Sequence, residues 1–374
     1  MDAWVLDRGQ IRDIRERLGV PCANWMPVDV AKLSAADDSY LKESGAFPIA
    51  MSRHGHRELQ KAGFTSAAYV PHGVDTSIFR PLENRAELRR RFNVAGRFVL
   101  GVNSALKEQV RKSYGETFEA FRRFCKRHPE ADALLSVNAV KTAPGALNLP
   151  RMAERKGIAD RVAYNDQYAY LTGGIGQPAL NEWYNSIDAL CIVSYGEGFG
   201  IPILESQAAG TPVIVNDASA MTELCNSGWM SRNQPFWNEH HGEDWAVPLI
   251  DSIVKAMEKA YDHYLSNQRD PSASPKRKAA RAFALQYDAD LVTETYWKPV
   301  LAELEAMTRR HGKRRAHDLD AERDAATDAL GQAWTAGLLD ADETADGVRK
   351  VLGAATAQEI SAAAVVPERE GAAA

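Results

Sequence analysis

Two glutamates, Glu197 and Glu205, stand eight positions apart on either side of a glycine-rich stretch of the sequence. Carboxylates accept charge-assisted hydrogen bonds from hydroxyl groups, so such a pair suits a hydroxyl-rich ligand such as a sugar or a ribose diol. A second interpretation is purely structural: Glu205 stabilises the start of a helix, and Glu197 is a solvated loop residue. The two glutamates alone do not decide between these interpretations.

The stretch between the glutamates has the composition of an anion-binding turn. An apolar run ends at Ser194, glycines follow at 196, 198 and 200, and Pro202 suits the first turn of a helix. Glycines allow a ligand to approach the backbone closely, and the free amides at the start of a helix favour an anion such as phosphate. A turn of this kind, beyond the carboxyl end of a parallel strand, is where open α/β sheets bind ligands.

The elements that must position this turn are short apolar runs that alternate with amphipathic helical stretches. This alternation predicts an α/β fold with a mostly parallel, buried sheet. A helix is predicted over residues 113–127, where Phe118, Phe121 and Phe124 share one face. The predicted strands cover residues 4–6, 47–51, 67–70, 98–102, 133–137, 162–164, 189–193 and 212–215.

Composition excludes several classes of function. The 374 residues contain 45 Lys and Arg against 50 Asp and Glu, so bulk charge does not favour nucleic acid. No apolar run approaches the roughly 18 residues of a membrane-spanning helix. The four cysteines form no Cys-x-x-Cys pair, and no Asp-x-Asp motif or metal-binding histidine cluster is present. We therefore expect a chain of the reducing cytoplasm that holds no metal.

The glutamate segment as a whole resembles the retaining glycosyltransferases of family four, which have the GT-B fold. The hallmark of that family is two glutamates separated by seven residues, with Gly-Phe-Gly between them, as in EGFGIPILE from Glu197 to Glu205. The sequences AAGTPVIV, YVPHGVDTSIFRPL and NEWYNSIDALCIVS, together with Glu223, also resemble family segments. The resemblance covers roughly residues 20–305.

The resemblance implies a role for each matching residue. Glu197 faces the transferred sugar, Glu205 faces the ribose, and the basic pair Arg111 and Lys112 lies on the donor diphosphate. A cation on that leaving group would lower the barrier to its departure. The resemblance also places these residues among those that bind the donor, several of them through the backbone: Asn103, Asp166, Gln167, Gly198, Phe199, Gly200 and Ile201.

The reaction implied is front-face transfer of a sugar from a UDP-, GDP- or ADP-sugar to a hydroxyl acceptor, with retention of configuration. No tightly bound cofactor is implied, and the acceptor class (glycan, lipid, small molecule or protein) stays open. One alternative is a non-catalytic sugar-nucleotide-binding protein with an incomplete acceptor side. Another is a different GT-B enzyme, such as a phosphorylase or an epimerase.

The predicted domain organisation follows from the same resemblance. Residues 1–82 match only the last part of an acceptor-side Rossmann-like domain, which suggests a truncated reading frame. Residues 83–287 form the donor domain after a hinge at 75–97, and residues 288–308 form a helix that crosses back. A basic linker at 309–315 leaves peripheral membrane association open, and the alanine-rich residues 316–374 form a small helical tail. The tail loosely resembles appendages of actinobacterial proteins, which indicates an actinobacterial or phage origin; the oligomeric state stays open.

Overall fold

A computed structural model describes residues 21–106, 110–142, 147–239, 242–268, 270–271, 274–336, 339–354 and 357–364. The described chain divides into two compact units, which are treated separately below: Cys22–Leu301, and Ala302 onward. The strand predicted at residues 4–6 lies outside the described residues.

The first unit contains a small parallel sheet of three strands, β1 (Ala23–Met26), β2 (Phe47–Ala50) and β3 (Ala68–Tyr69). Two helices connect them, α1 (Ala35–Ser44) and α2 (Arg53–Lys61). Each helix begins at a serine whose hydroxyl accepts a backbone N–H, Ser34 for α1 and Ser52 for α2. The predictions at 47–51 and 67–70 are confirmed within two residues.

The same unit contains a larger sheet of six parallel strands, in the spatial order β6-β5-β4-β7-β8-β9. Neighbours β4 and β7 are the point at which the order reverses, which is the topological switch point of a doubly wound sheet. Five of the strands confirm the prediction from apolar runs; β9, with its short sequence GWMS, was not predicted. The strands are β4 (Phe98–Asn103), β5 (Ala133–Asn138), β6 (Val162–Tyr164), β7 (Ala189–Ile192), β8 (Val213–Asn216) and β9 (Gly228–Ser231).

Helices and one antiparallel hairpin complete the first unit. The predicted helix at 113–127 is confirmed as Tyr114–Arg127, with Phe118, Phe121 and Phe124 fully buried. The hairpin, β10 (Asn233–Asn238) with β11 (Glu243–Pro248), was not predicted. The helices are α3 (Arg85–Arg91), α4 (Tyr114–Arg127), α5 (Leu149–Arg155), α6 (Gln167–Leu171), α7 (Gln177–Ser186), α8 (Ile201–Ala208), α9 (Ser219–Leu224), α10 (Ile250–Ser266), α11 (Pro275–Ala284) and α12 (Ala289–Val292).

Aromatic side chains just beyond α12 contact the small sheet. Tyr296 lies edge-on to Tyr69 of β3, with ring centroids 5.4 Å apart, and Trp297 lies edge-on to Trp25 of β1 at 5.1 Å. These contacts lie within the first unit, which also holds both sheets. The division of this unit at residue 82 into an acceptor-side and a donor domain stays a prediction.

The prediction of a basic linker at 309–315 is wrong. Those residues lie inside one long helix, α13 (Lys298–Thr335), so the helix expected to end at residue 308 continues instead. Arg and Lys are good helix formers, and Arg309 pairs with Glu305 one turn earlier, so a run of positive charge does not end the helix.

The second unit is helical, as predicted. It contains α14 (Ala341–Gly353) and α15 (Ala357–Ala363), and its core includes Leu330, Val351 and Ile360. The predicted capping box of Asp340 and Glu343 is confirmed, because each side chain accepts a backbone N–H of the other residue. Thr356 and Gly337, also singled out from the sequence, lie outside the described residues.

A buried carboxylate fastens the segment after residue 82 to the large sheet. Asp188, just before β7, accepts hydrogen bonds from Arg85 Nη2 at 2.7 Å, from Arg89 Nη1 at 3.2 Å, and from the backbone N–H of Val99 at 2.8 Å. Asp188 is 8% exposed and Arg89 is 6% exposed. Two guanidinium groups therefore depend on one buried anion.

We expect Asp188→Asn to lower the free energy of unfolding by about 3 kcal/mol or more, because removing one partner leaves buried charge uncompensated. Urea denaturation of the purified chain measures this change. As a control, Glu294→Gln breaks an exposed pair with Lys298 and should cost less than about 1 kcal/mol. A loss no larger for Asp188→Asn than for the control would contradict this description of the anchor.

Candidate functional site

The residues singled out from the sequence meet at the switch point of the large sheet. The segment after β4 carries Arg111 and Lys112, and the segment after β7 carries Ser194 through Gly200. The backbone joins the two segments directly, since Tyr195 N–H donates to the carbonyl of Arg111 at 2.8 Å. Parallel strands that diverge at this point leave a crevice at their carboxyl ends.

Glu197 is held in that crevice by charge and by hydrogen bonds. Lys112 Nζ lies 2.5 Å from Glu197 Oε1, and Ser194 Oγ donates to the same oxygen at 2.7 Å. Ser219 Oγ is 2.9 Å from the Glu197 backbone N–H, which donates to it. Only 15% of the Lys112 side chain and 12% of the Glu197 side chain are exposed, so the ion pair is screened less than a surface pair.

A second cation lies beside the same carboxylate. Arg111 Nη1 is 3.7 Å from Glu197 Oε2, and it donates to the Gly196 carbonyl and to Asp29 Oδ2, both at 3.2 Å. Asp29 follows β1 of the small sheet. Two positive side chains thus converge with two carboxylates, and an incoming dianion could exchange with either carboxylate as their partner.

The glycines of the turn serve a neighbouring loop as well as any ligand. A Cβ atom on Gly196 would lie 2.2 Å from the Asp29 carbonyl oxygen, and one on Gly198 would lie 2.2 Å from Pro27 Cβ. Gly200 has a positive φ of 106° and is the N-cap of α8. The sequence predicted close approach at these glycines, and at Gly196 and Gly198 the approaching group is the protein's own loop after β1.

Unused backbone amides lie at the start of α8. Among the described residues, no acceptor takes the N–H groups of Phe199, Gly200 and Ile201. Near the other wall of the crevice, Ser113 caps α4 with a left-handed backbone (φ 52°), and its buried Oγ has no partner among the described atoms. Buried polar groups without partners are rare, and a strained backbone often marks a functional site.

Glu205 extends from α8 and contacts the neighbouring helix α7. Tyr184 hydroxyl donates to Glu205 Oε2 at 2.7 Å, and no described group donates to Oε1. Burial raises the pKa of the Glu205 carboxyl, and the Tyr184 hydrogen bond opposes that rise. A carboxylate kept in this environment, with one oxygen available, can accept a hydrogen bond from a ligand hydroxyl.

The remaining predicted donor residues use their side chains within the protein. Asn103 Nδ2 donates to the Tyr184 hydroxyl at 2.7 Å, and Asp166 Oδ1 caps α6 by accepting from Ala169 N–H at 2.9 Å. Gln167 Oε1 accepts the backbone N–H of Lys141 at 2.7 Å. Any contact of Asp166 and Gln167 with a nucleotide base would therefore use the backbone, as the sequence resemblance implies.

Sequence reasoning did not identify two residues near the glutamate turn, Asp29 and His72. His72 lies between the rings of Trp25, at 4.3 Å, and Phe199, at 5.0 Å. Burial lowers the His72 pKa to about 4, so the ring is neutral near pH 7. Each follows an apolar strand segment, which is the only sequence signal that could have indicated them.

Glu223 links the two sheets of the first unit. Its two carboxylate oxygens accept the backbone N–H groups of Arg53, at 2.9 Å, and His54, at 3.0 Å, at the start of α2. Negative charge at a helix N-terminus is stabilising. The resemblance marked Glu223 without giving it a role, and its contact here is structural.

Within the described ranges, no three His, Cys, Asp or Glu residues are grouped so that they could hold a metal ion. His54 and His56, considered as surface or structural residues, bond the carbonyls of Val30 and Ala67. Of the helices that the structure describes, none combines the length and apolar character needed to cross a bilayer.

Comparison with known proteins gives matches to glycosyltransferases. Residues 99–262 match the family model for glycosyl transferases group 1. A D-inositol 3-phosphate glycosyltransferase of Paenarthrobacter aurescens is 27% identical over 175 residues, which cover 47% of this chain and 38% of that protein. The mannosyltransferase LpsB of Rhizobium meliloti is 23% identical over 240 residues, 61% of this chain and 59% of LpsB. The chain thus spans less than two thirds of the length of these relatives.

Solved structures show the same fold. HepE of Anabaena in complex with UDP has a TM-score of 0.57 and 16% identity, over 79% of this chain and 77% of HepE. A glycosyltransferase of Rickettsia africae has a TM-score of 0.56 and 14% identity, over 79% of this chain and 80% of that one. The predicted α/β fold of the GT-B glycosyltransferases is therefore confirmed.

The buried Glu205 carboxyl gives a stability prediction. Because its pKa is raised above the ordinary value of 4.5, the folded state binds the proton more tightly than the unfolded state. Its contribution to stability is thus present at low pH and is lost as the pH rises through the folded-state pKa. Glu205→Gln keeps an acceptor for Tyr184 without the charge, so we expect it to raise the free energy of unfolding at pH 7.

Urea denaturation from pH 4 to pH 8 measures this effect. The advantage of Glu205→Gln over the unmodified chain should grow with pH and then level off. Glu303→Gln, on the exposed side of α13, corrects for the loss of one negative charge from the chain. An advantage that is absent at pH 7, or that does not change with pH, would contradict the burial described for this carboxyl.

Proposed function

We propose that the chain is a retaining glycosyltransferase of family four, which transfers a sugar from a nucleotide-diphosphate sugar to a hydroxyl acceptor. The observation that carries this proposal is the convergence of Arg111, Lys112 and Glu197 at the switch point of the large sheet. The match of residues 99–262 to glycosyl transferases group 1 supports it. The division into a partial acceptor-side domain, 1–82, and a donor domain, 83–287, belongs to the same proposal.

The donor diphosphate binds to the two cations. Lys112 and Arg111 are paired with carboxylates, and a dianionic diphosphate takes over those charges when it enters the crevice. The partnerless Ser113 hydroxyl and the amides of Phe199, Gly200 and Ile201 supply further donors around the phosphates and the sugar. Glu197, still bonded by Ser194, then accepts hydroxyls of the transferred sugar.

Glu205 and the loop at 165–174 hold the nucleoside. Glu205 Oε1 accepts from the ribose, and backbone around Asp166 and Gln167 contacts the base. Anabaena HepE is described in complexes with UDP and with UDP-glucose, which makes UDP-sugars the first of the three donor classes to test.

The reaction is a substitution on one face of the sugar. The bond from the anomeric carbon to the leaving phosphate oxygen breaks, and a bond to the acceptor oxygen forms on the same face. The acceptor proton passes to a phosphate oxygen, so the products are the glycoside and the nucleoside diphosphate. Lys112 and Arg111 stabilise the charge that develops on the diphosphate, with no metal required. The two glutamates bind the donor and are not the acid and base of a hydrolase.

We expect Lys112→Ala to weaken UDP binding by about tenfold or more, because a hydrogen bond to a charged group contributes about 1.5–3 kcal/mol. Uridine, which has no phosphates, should bind the variant and the unmodified chain equally. Isothermal titration with UDP and uridine measures both affinities, and Lys126→Ala, on the exposed last turn of α4, is the control. An equal loss for uridine and UDP, or no loss, would contradict the diphosphate role of Lys112.

Turnover separates the enzyme from the binding protein considered as the alternative. Each of UDP-, GDP- and ADP-glucose is incubated with a panel of hydroxyl acceptors, and release of the nucleoside diphosphate is followed. Release that depends on acceptor and is reduced in Lys112→Ala supports the transferase. Donor binding without release on any acceptor would favour the sugar-nucleotide-binding alternative.

A further inference from the structure

A continuous chain of side-chain hydrogen bonds runs along the carboxyl edge of the large sheet. It begins where the backbone N–H of Lys141 donates to Gln167 Oε1 at 2.7 Å. Gln167 Nε2 then donates to Asn165 Oδ1 at 2.6 Å, and Asn165 Nδ2 donates to Asn138 Oδ1 at 2.9 Å. These residues belong to the loop at 165–174 and to the end of β5.

The chain continues without interruption to the glutamate on α8. Asn138 Nδ2 donates to Asn103 Oδ1 at 3.1 Å, and Asn103 Nδ2 donates to the Tyr184 hydroxyl at 2.7 Å. The Tyr184 hydroxyl donates to Glu205 Oε2 at 2.7 Å. Every donor in the chain therefore faces the same way, toward the carboxylate.

The sheet order explains how these residues come together. Asn103 and Asn138 are the last residues of β4 and β5, and Asn165 directly follows β6. Because β6, β5 and β4 are neighbours and parallel, their carboxyl ends lie side by side. An amide suits each position, since it can accept a bond on one side and donate on the other.

The common direction has an energetic consequence. Hydrogen bonds arranged donor to acceptor in one direction polarise one another, which strengthens the last bond, here to a charged acceptor. Tyr184 is fully buried, and the rings of Phe79 and Trp183 lie 6.1 and 5.2 Å from its ring. The Tyr184 hydroxyl therefore has one available direction, and Glu205 is fixed with Oε1 as its remaining acceptor.

We propose that Tyr184 is a positioning residue that orients Glu205 toward the ribose, and that the amide chain through Asn103 and Asn138 sets the Tyr184 hydrogen bond. This inference rests on the proposed function. It assigns ribose recognition to the loop at 165–174 as well as to Glu205, because both ends of the chain must be in place. It also gives Asn103 an indirect role instead of a contact with the donor.

The test compares UDP with 2′,3′-dideoxy-UDP, which lacks both ribose hydroxyls. Tyr184→Phe removes only the hydroxyl, so we expect UDP affinity to fall about tenfold, as for a hydrogen bond to a charged group, with less than about twofold change for the dideoxy compound. Tyr264→Phe is the matched control, since its hydroxyl donates to the Gly96 carbonyl away from the chain. Isothermal titration measures all the affinities.

Asn138→Asp tests the chain itself at a distance from Glu205. Aspartate keeps the size of asparagine and an acceptor for Asn165, but an ionised carboxylate has no N–H to donate to Asn103. We expect this variant also to lose preference for UDP over 2′,3′-dideoxy-UDP. Full retention of the preference in Asn138→Asp would overturn the role of the amide chain.

The outcomes separate this inference from the proposed function. An unmodified chain that binds neither compound, nor GDP or ADP, would overturn the proposed function. An unmodified chain that binds UDP and its dideoxy form equally would overturn the ribose role of Glu205. A clear preference in the unmodified chain that persists in Tyr184→Phe would overturn the positioning role of Tyr184 alone, and equal weakening of both ligands would do the same.

Discussion

The pairing of Lys112 with Glu197 at the carboxyl ends of β4 and β7 is the interaction on which the rest of the site depends. The two groups lie 2.5 Å apart and are mostly enclosed, so each would be costly to bury without the other. Arg111 and Asp29 extend the pairing to the loop after β1. The result is a charged crevice whose cations are already ordered and need only exchange one anion for another.

The sheet supplies that arrangement through its order, and the turn supplies it through its glycines. Reversal of the strand order between β4 and β7 brings together segments more than eighty residues apart in the sequence. Gly196 and Gly198 then allow the loop at residues 27–29 to pack directly against the turn. Glu205 is held beside it in an environment that raises its pKa, a cost to stability that is common where a group serves a ligand.

The sequence predicted those parts of the fold that local pattern determines. Strands β4 to β8 are continuous apolar runs, which buried parallel strands require, and Phe118, Phe121 and Phe124 gave the face of α4. The hairpin β10–β11 was missed because Pro235 and polar residues hide its pattern. The error at 309–315 came from treating positive charge as a linker signal, although arginine and lysine favour helix.

For the site, the sequence indicated the residues but not their partners. A motif names Glu197, Glu205, Arg111 and Lys112, yet whether they meet depends on contacts across long sequence separations. Asp29 contacts Arg111 across 82 positions, and Tyr184 contacts Glu205 across 21. No local pattern encodes such contacts, so the amide chain that ends at Glu205 became visible only in three dimensions.

A crystal structure of the chain with UDP tests the central claim most directly, because it reports the partner of Lys112. The account predicts that the diphosphate lies at the carboxyl ends of β4 and β7, that Lys112 Nζ moves from Glu197 to a phosphate oxygen, and that Glu197 stays bonded to Ser194. A diphosphate bound elsewhere, or a Lys112 that remains on Glu197 with UDP in the crevice, would contradict it.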